Sequence, residues 1–228
     1  MNTLLDRIRS RGYWRVVIRP SRFIEKRIAN ISSLQDILWK NAVQLRGWDF
    51  PHADTRNNVH IDVDWISRDF EWKDYLEVWR LYQSGQFVDY AGLVMDWSDQ
   101  SERGLNDSYC ESKKRLNVVD VVFRFTEIFE FAARLSLSEA GDENMHIEVT
   151  LGGLSERALW VNPAVRKSFP MKKKVSINEI PYEVDLPRVK LMAEPRELAL
   201  KPAIELFRRF DWDPHVEVLR EMQTELRR

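Results

Sequence analysis

Two runs of aromatic and β-branched residues, EVWRLYQ (77–83) and QFVDYA (86–91), flank Ser84-Gly85. A Ser-Gly link between such runs predicts a tight β-hairpin. Read as a two-residue loop, it sets Tyr82 opposite Phe87, Leu81 opposite Val88, Arg80 opposite Asp89 and Trp79 opposite Tyr90. Alternation then places Trp79, Leu81, Val88 and Tyr90 on one face, and Arg80, Tyr82, Phe87 and Asp89 on the other. Upstream, Thr3 caps a short helix that Gly12 stops. The run YWRVVIR (13–19) is a strand closed by Pro20, with Trp14, Val16 and Ile18 as its core face and Tyr13, Arg15, Val17 and Arg19 opposite. Ser33 opens a helix to about Lys40, and VQLRGW (43–48) reads as the next strand. VHIDVDWI (59–66) alternates as a further strand.

The polar stretch 98–117 predicts a flexible loop. The longest helix spans 118–140, where Asp120, Arg124, Glu127, Glu130 and Arg134 fall within one arc that also holds Phe123 and Phe131. Residues 146–151 and 157–161 suggest a second hairpin, followed by a strand-like region reaching about Met192. Two C-terminal helices follow, with Pro202 kinking the first or marking its start. Together these predict a single α+β domain over residues 1–228. Its mainly antiparallel twisted sheet would be covered on one face by the long central helix and the two C-terminal helices.

With 44% hydrophobic and 31% charged residues in 228, the chain has the makings of an ordinary folded core, which excludes wholesale disorder. The formal net charge is −1, yet arginines crowd the first 27 residues and carboxylates crowd 60–107. That asymmetry permits an acidic or nucleic-acid partner, or self-complementary surfaces. Cys110 stands alone, so no intrachain disulfide forms. The opening residues lack the apolar run of a signal peptide, and charges interrupt the most apolar segment, 118–137, so no membrane is implied. The expected location is the cytoplasm.

GYWRVVIRP (12–20), LRGWDFPH (45–52) and WRLYQSGQF (79–87), with TEIFEFAARL (126–135) and AEPRELAL (193–200), resemble an uncharacterised bacterial protein family. The resemblance implies a bacterial cytoplasmic origin and one co-folded unit. It brings no activity and assigns no site residue.

Three constellations could carry chemistry. His52, Asp54, His60, Asp62 and Asp64 offer imidazole and carboxylate ligands for Zn²⁺ or Mn²⁺, the makings of a metal-dependent phosphodiesterase or nuclease. The competing reading is the polar outer face of a half-buried strand. Arg15, Arg19 and Arg22, interleaved with aromatics, could neutralise phosphates of a nucleic acid, or be a solvated sheet face. Arg80, Tyr82, Phe87, Asp89, Phe123 and Phe131 are residue types that interfaces favour, and equally could pack internally. No phosphate-binding loop, dinucleotide fingerprint or nucleophile elbow is present, and no motif implies a cofactor. The leading expectation is a non-catalytic interaction or accessory module, with a protein partner or self-association. The metal-dependent enzyme and the nucleic-acid binder are the alternatives.

Overall fold

Tyr13–Pro20, β1, is buried along its length except at half-buried Arg15 and Arg19, as suits an interior strand of the sheet. A computed structural model of the chain describes residues 3–53, 59–98, 114–169, 171 and 173–226. The other strands are β2 (His60–Ile61), β3 (Trp65–Trp72), β4 (Tyr75–Tyr82), β5 (Phe87–Gly92), β6 (Arg115–Asn117), β7 (Asn144–Gly152), β8 (Ala158–Trp160) and β9 (Ile180–Pro187). The helices are α1 (Leu4–Arg9), α2 (Ser32–Asn41), α3 (Val94–Trp97), α4 (Val118–Ser136), α5 (Arg188–Ala193), α6 (Pro195–Arg208) and α7 (Val216–Gln223).

Seven strands form one sheet in the order β2-β3-β4-β5-β1-β7-β9, every neighbouring pair antiparallel. β6 and β8 make a small parallel pair. One face of the large sheet presents Trp14, Val16, Ile18, Trp79, Leu81 and Phe87 to α4, which is itself covered by α5, α6 and α7. The other face carries a smaller cluster, Tyr13, Leu76 and Val78 under Ile8 of α1. The result is a single α+β domain with the long helix between the sheet and the C-terminal helices. That position explains why α4 buries residues all around its circumference.

The hairpin differs from the sequence expectation by one residue. Leu81 pairs with Phe87, Arg80 with Val88, Trp79 with Asp89 and Val78 with Tyr90. The loop is three residues long: Tyr82 N–H donates to the Gln86 carbonyl (2.9 Å), and Gly85, at φ +85°, takes the left-handed position that closes such loops. A slip of one residue exchanges faces on the second strand. Phe87 and Asp89 therefore point into the core with Trp79 and Leu81, and Arg80 is not opposite Asp89. Arg80 lies in the open, its guanidinium 4.5 Å from the Trp65 ring.

Gly85 is the fulcrum of this register. A Cβ there would meet the Ala140 carbonyl oxygen at 2.3 Å, in a conformation that side chains resist. Gly85→Ala is expected to cost about 1–3 kcal/mol in urea unfolding; an unchanged midpoint would contradict this turn geometry.

Other expected elements are also redrawn. Residues 43–48 are not a strand: Val43 bridges back to Phe50 through paired backbone bonds of 3.0 and 2.8 Å, closing a tight loop. The 59–66 strand shrinks to His60–Ile61, and β3 starts at Trp65. The second hairpin is absent, because β7 pairs with β1 and β9 while β8 joins β6. Residues 188–193 are helix, and Pro202 sits buried inside α6. Of the expected 98–117 loop, 99–113 lie outside the described residues, and Arg115–Asn117 form β6.

Candidate functional site

The register brings charge into the core. Glu77 and Asp89 lie on the α4 face of neighbouring strands, and both are fully enclosed apart from 2% of Glu77. A carboxylate there needs a counter-charge, because burial without one is costly. α4 supplies Arg124, whose Nη2 donates to Asp89 Oδ2 at 2.6 Å and lies 3.5 Å from Glu77 Oε1. The Arg124 guanidinium also covers the Phe50 ring at 4.2 Å.

One turn on, Glu127 is fully buried and takes a two-pronged bond from Arg46, Nε to Oε1 at 2.8 Å and Nη2 to Oε2 at 2.7 Å. This fork pins the 43–50 loop onto α4, assisted by Phe50 standing edge-on to Phe131 at 5.6 Å.

The loop so anchored delivers His52. Its Nδ1 is 2.5 Å from Glu77 Oε2, and its backbone N–H donates to the same oxygen at 2.9 Å. Its carbonyl accepts from Trp79 Nε1 (3.0 Å) and Arg68 Nη1 (3.1 Å), and its ring stacks on Phe70 at 4.2 Å. A ring held from so many directions has one orientation available.

His52, Glu77, Arg124 and Arg46 line a recess of about 70 Å³, with Trp14 and Arg115 among its other walls. Adjoining it is a bowl of about 400 Å³ that shares Arg46, Trp48, Tyr75, Val94, Asn117 and Asp120 with the recess. Trp48 and Tyr75 meet edge-on at 5.1 Å, giving the shared wall an aromatic surface. The two spaces make a funnel with charge on its floor.

Electrostatics at the floor are divided unequally. Burial alone would favour neutral Glu77, but the His52 imidazole, its hydrogen bonds and Arg124 outweigh it and hold Glu77 down at about 2. Burial, then the neighbouring Glu77 charge, push Asp89 well up, against the pull of Arg124. One guanidinium stands between two carboxyls, and burial with the Glu77 charge favours the protonated form at Asp89 and not at Glu77. Among the described residues, Asp89 Oδ1 and Arg124 Nε have no hydrogen-bond partner. Because the Glu77 value is depressed, its stabilisation is complete above its ordinary 4.5 and lost as pH falls towards about 2. Urea midpoints measured across that window should fall steadily in the natural chain and much less in Glu77→Gln; parallel slopes would remove Glu77 from the acid limb.

Of the residues singled out as metal ligands, His52 alone enters this funnel. His60, Asp62 and Asp64 are exposed at the turn into β3, where the His60 ring lies beside Trp65 at 5.4 Å and Asp62 Oδ1 accepts from Val63 N–H. Asp54 lies outside the described residues, as does Cys110. Among the described residues, no three His, Cys, Asp or Glu side chains converge as a metal site.

The arginines proposed for phosphate are dispersed. Arg15 is ion-paired with Glu148, Arg22 approaches Asp142 at 3.4 Å, and Arg19 is half-buried on the outer sheet face. The interface set also divides. Phe87, Phe131 and Asp89 are wholly enclosed, since the register and the packing of α4 turn them inward, and they cannot face a partner. Phe123 is half-buried at the bowl. Arg80 and Tyr82 remain on the outer face.

Sequence reasoning passed over Arg46, Glu77, Arg124 and Glu127. Their signal was single charges set within apolar segments, LRGW, LEVW and VVFRFTEIF, which a core admits only when they are paired. No helix among the described residues is long and apolar enough to cross a membrane. Set against known proteins, the chain matches no family model, no curated protein and no solved structure.

Proposed function

We propose that this domain binds a compact ligand bearing an anionic oxygen group, carboxylate or phosphate, in the funnel between α4, β4 and the 43–52 loop. One observation carries the reading. Three guanidinium groups, Arg46, Arg115 and Arg124, line the recess against two carboxyl groups, Glu77 and Asp120. A recess whose lining carries that excess of cation favours an anionic oxygen ligand. Trp48 and Tyr75 would hold the apolar body of the ligand above it.

The test is thermal unfolding with inorganic phosphate or acetate, against chloride at matched ionic strength. At tenfold excess over the dissociation constant, binding adds about 1.4 kcal/mol, a rise of about 3–6 °C for a chain of this size. Val94→Trp, at the wall shared by recess and bowl, should abolish that rise. No rise with either anion would overturn the reading.

A second reading, an interaction module, is favoured by Arg80 lying over Trp65 in the open beside Tyr82, on the outer sheet face. An anion-silent funnel together with a concentration-dependent dimer lost in Arg80→Glu would move the function there. The nucleic-acid reading draws less support, since Arg15 and Arg22 are drawn to carboxylates.

A further inference from the structure

We infer that His52 is the reacting base of this funnel and Glu77 its positioning residue, so that the pocket is a reaction site and not a receptor site alone. The inference rests on the anion-pocket reading and extends it. Glu77 Oε2 takes both the backbone N–H and Nδ1 of His52, at 2.9 and 2.5 Å. A carboxylate in that position fixes the proton on Nδ1 and leaves the Nε2 lone pair as the working atom. With Nδ1 held by Glu77, Nε2 is the ring nitrogen left over, and His52 lines the recess. The stacked Phe70 ring and the two donors to the His52 carbonyl keep the imidazole from turning away.

The titratable and charged groups around His52 are Glu77 and Tyr75 from β4, the Tyr75 ring 6.4 Å from the imidazole, Arg68 from β3 at the His52 carbonyl, and, in the same recess, Arg124 from α4 and Arg46 from the 43–50 loop. When Nε2 takes a proton from a bound substrate or from water, the imidazolium that forms faces ionised Glu77, so charge separation is small. Arg124 then holds the anionic group of the same ligand. The substrate class is a small carboxylate- or phosphate-bearing molecule with an acidic hydrogen, or an ester that water can attack.

A structural His–Glu pair would show the same tautomer, so the test reads reactivity. With p-nitrophenyl acetate, Nε2 attacks the acetyl carbon and p-nitrophenolate leaves. Water then cleaves the acylimidazolium to acetate, returning the neutral ring and releasing two protons to solvent. The full chain should release p-nitrophenolate at least about tenfold faster than His52→Gln. Glu77→Gln should displace the pH profile, and His60→Gln should change nothing.

Site-mapped carbethoxylation of the unaltered chain needs no variant to fold. His52 should be modified, and millimolar phosphate should protect it while exposed His60 stays reactive. Equal rates in natural and His52→Gln chains, or an unmodified His52 once His60 is saturated, would overturn the inference. If phosphate still raises the unfolding temperature in that case, the pocket stands and only the base falls.

Discussion

Arg124→Met is expected to lower stability by about 3–5 kcal/mol, the cost of stranding buried carboxyls without their cation. Glu77 and Asp89 are enclosed on the same face and share this one guanidinium. Total stabilities of single domains are of order 5–15 kcal/mol, so the variant should lose a large share of its folded population. The partners should not respond alike. Asp89→Asn replaces the carboxyl whose burial and Glu77 neighbour favour the protonated form, and should cost about 1 kcal/mol or less. Glu77→Gln removes an ionised one from between Arg124 and His52, and should cost close to the arginine variant. Urea unfolding at neutral pH measures all three. Equal losses for Asp89→Asn and Glu77→Gln would mean that the charge is shared in some other way.

Phe131→Ala should cost a comparable 3–5 kcal/mol. Its ring is fully buried, edge-on to Phe87 at 4.9 Å and to Phe50 at 5.6 Å. Phe50 in turn lies beneath the Arg124 guanidinium and closes the loop that carries His52. The cavity left by alanine would therefore loosen the funnel floor as well as the core, and anion binding should weaken alongside stability. Phe123→Ala, at the half-buried rim, should cost less than about 1.5 kcal/mol. If Phe131→Ala unfolds at the natural midpoint, α4 does not pack as described.

The long helix, the β1 core face and the C-terminal helices were legible because their periodicities are unmixed. The hairpin register was not. Ser84-Gly85 serves a two-residue loop, and Gln83-Ser84-Gly85 serves a three-residue one, each with glycine in place. Neither YLEVWRLY nor FVDYAG alternates cleanly, so hydrophobicity could not arbitrate.

The polar arc of α4 misled for a related reason. Period places Arg124 and Glu127 on one side of a helix but does not say what that side faces. Here it faces Glu77, Asp89 and Arg46. The candidate site was legible only at His52, read then as a metal ligand. Its partners come from β4, β5 and α4, and no spacing within the chain announces such a meeting.

Inside the sheet, β1 lies between β5 and β7. In a chain that emerges from its N-terminal end, this strand is finished long before residues 87–92 and 144–152 exist to flank it. Strands β3, β4 and β5, by contrast, form successive local pairings. Translation thus leaves Trp14, Val16 and Ile18 uncovered for most of its course, and any holding chaperone would be needed at that segment first.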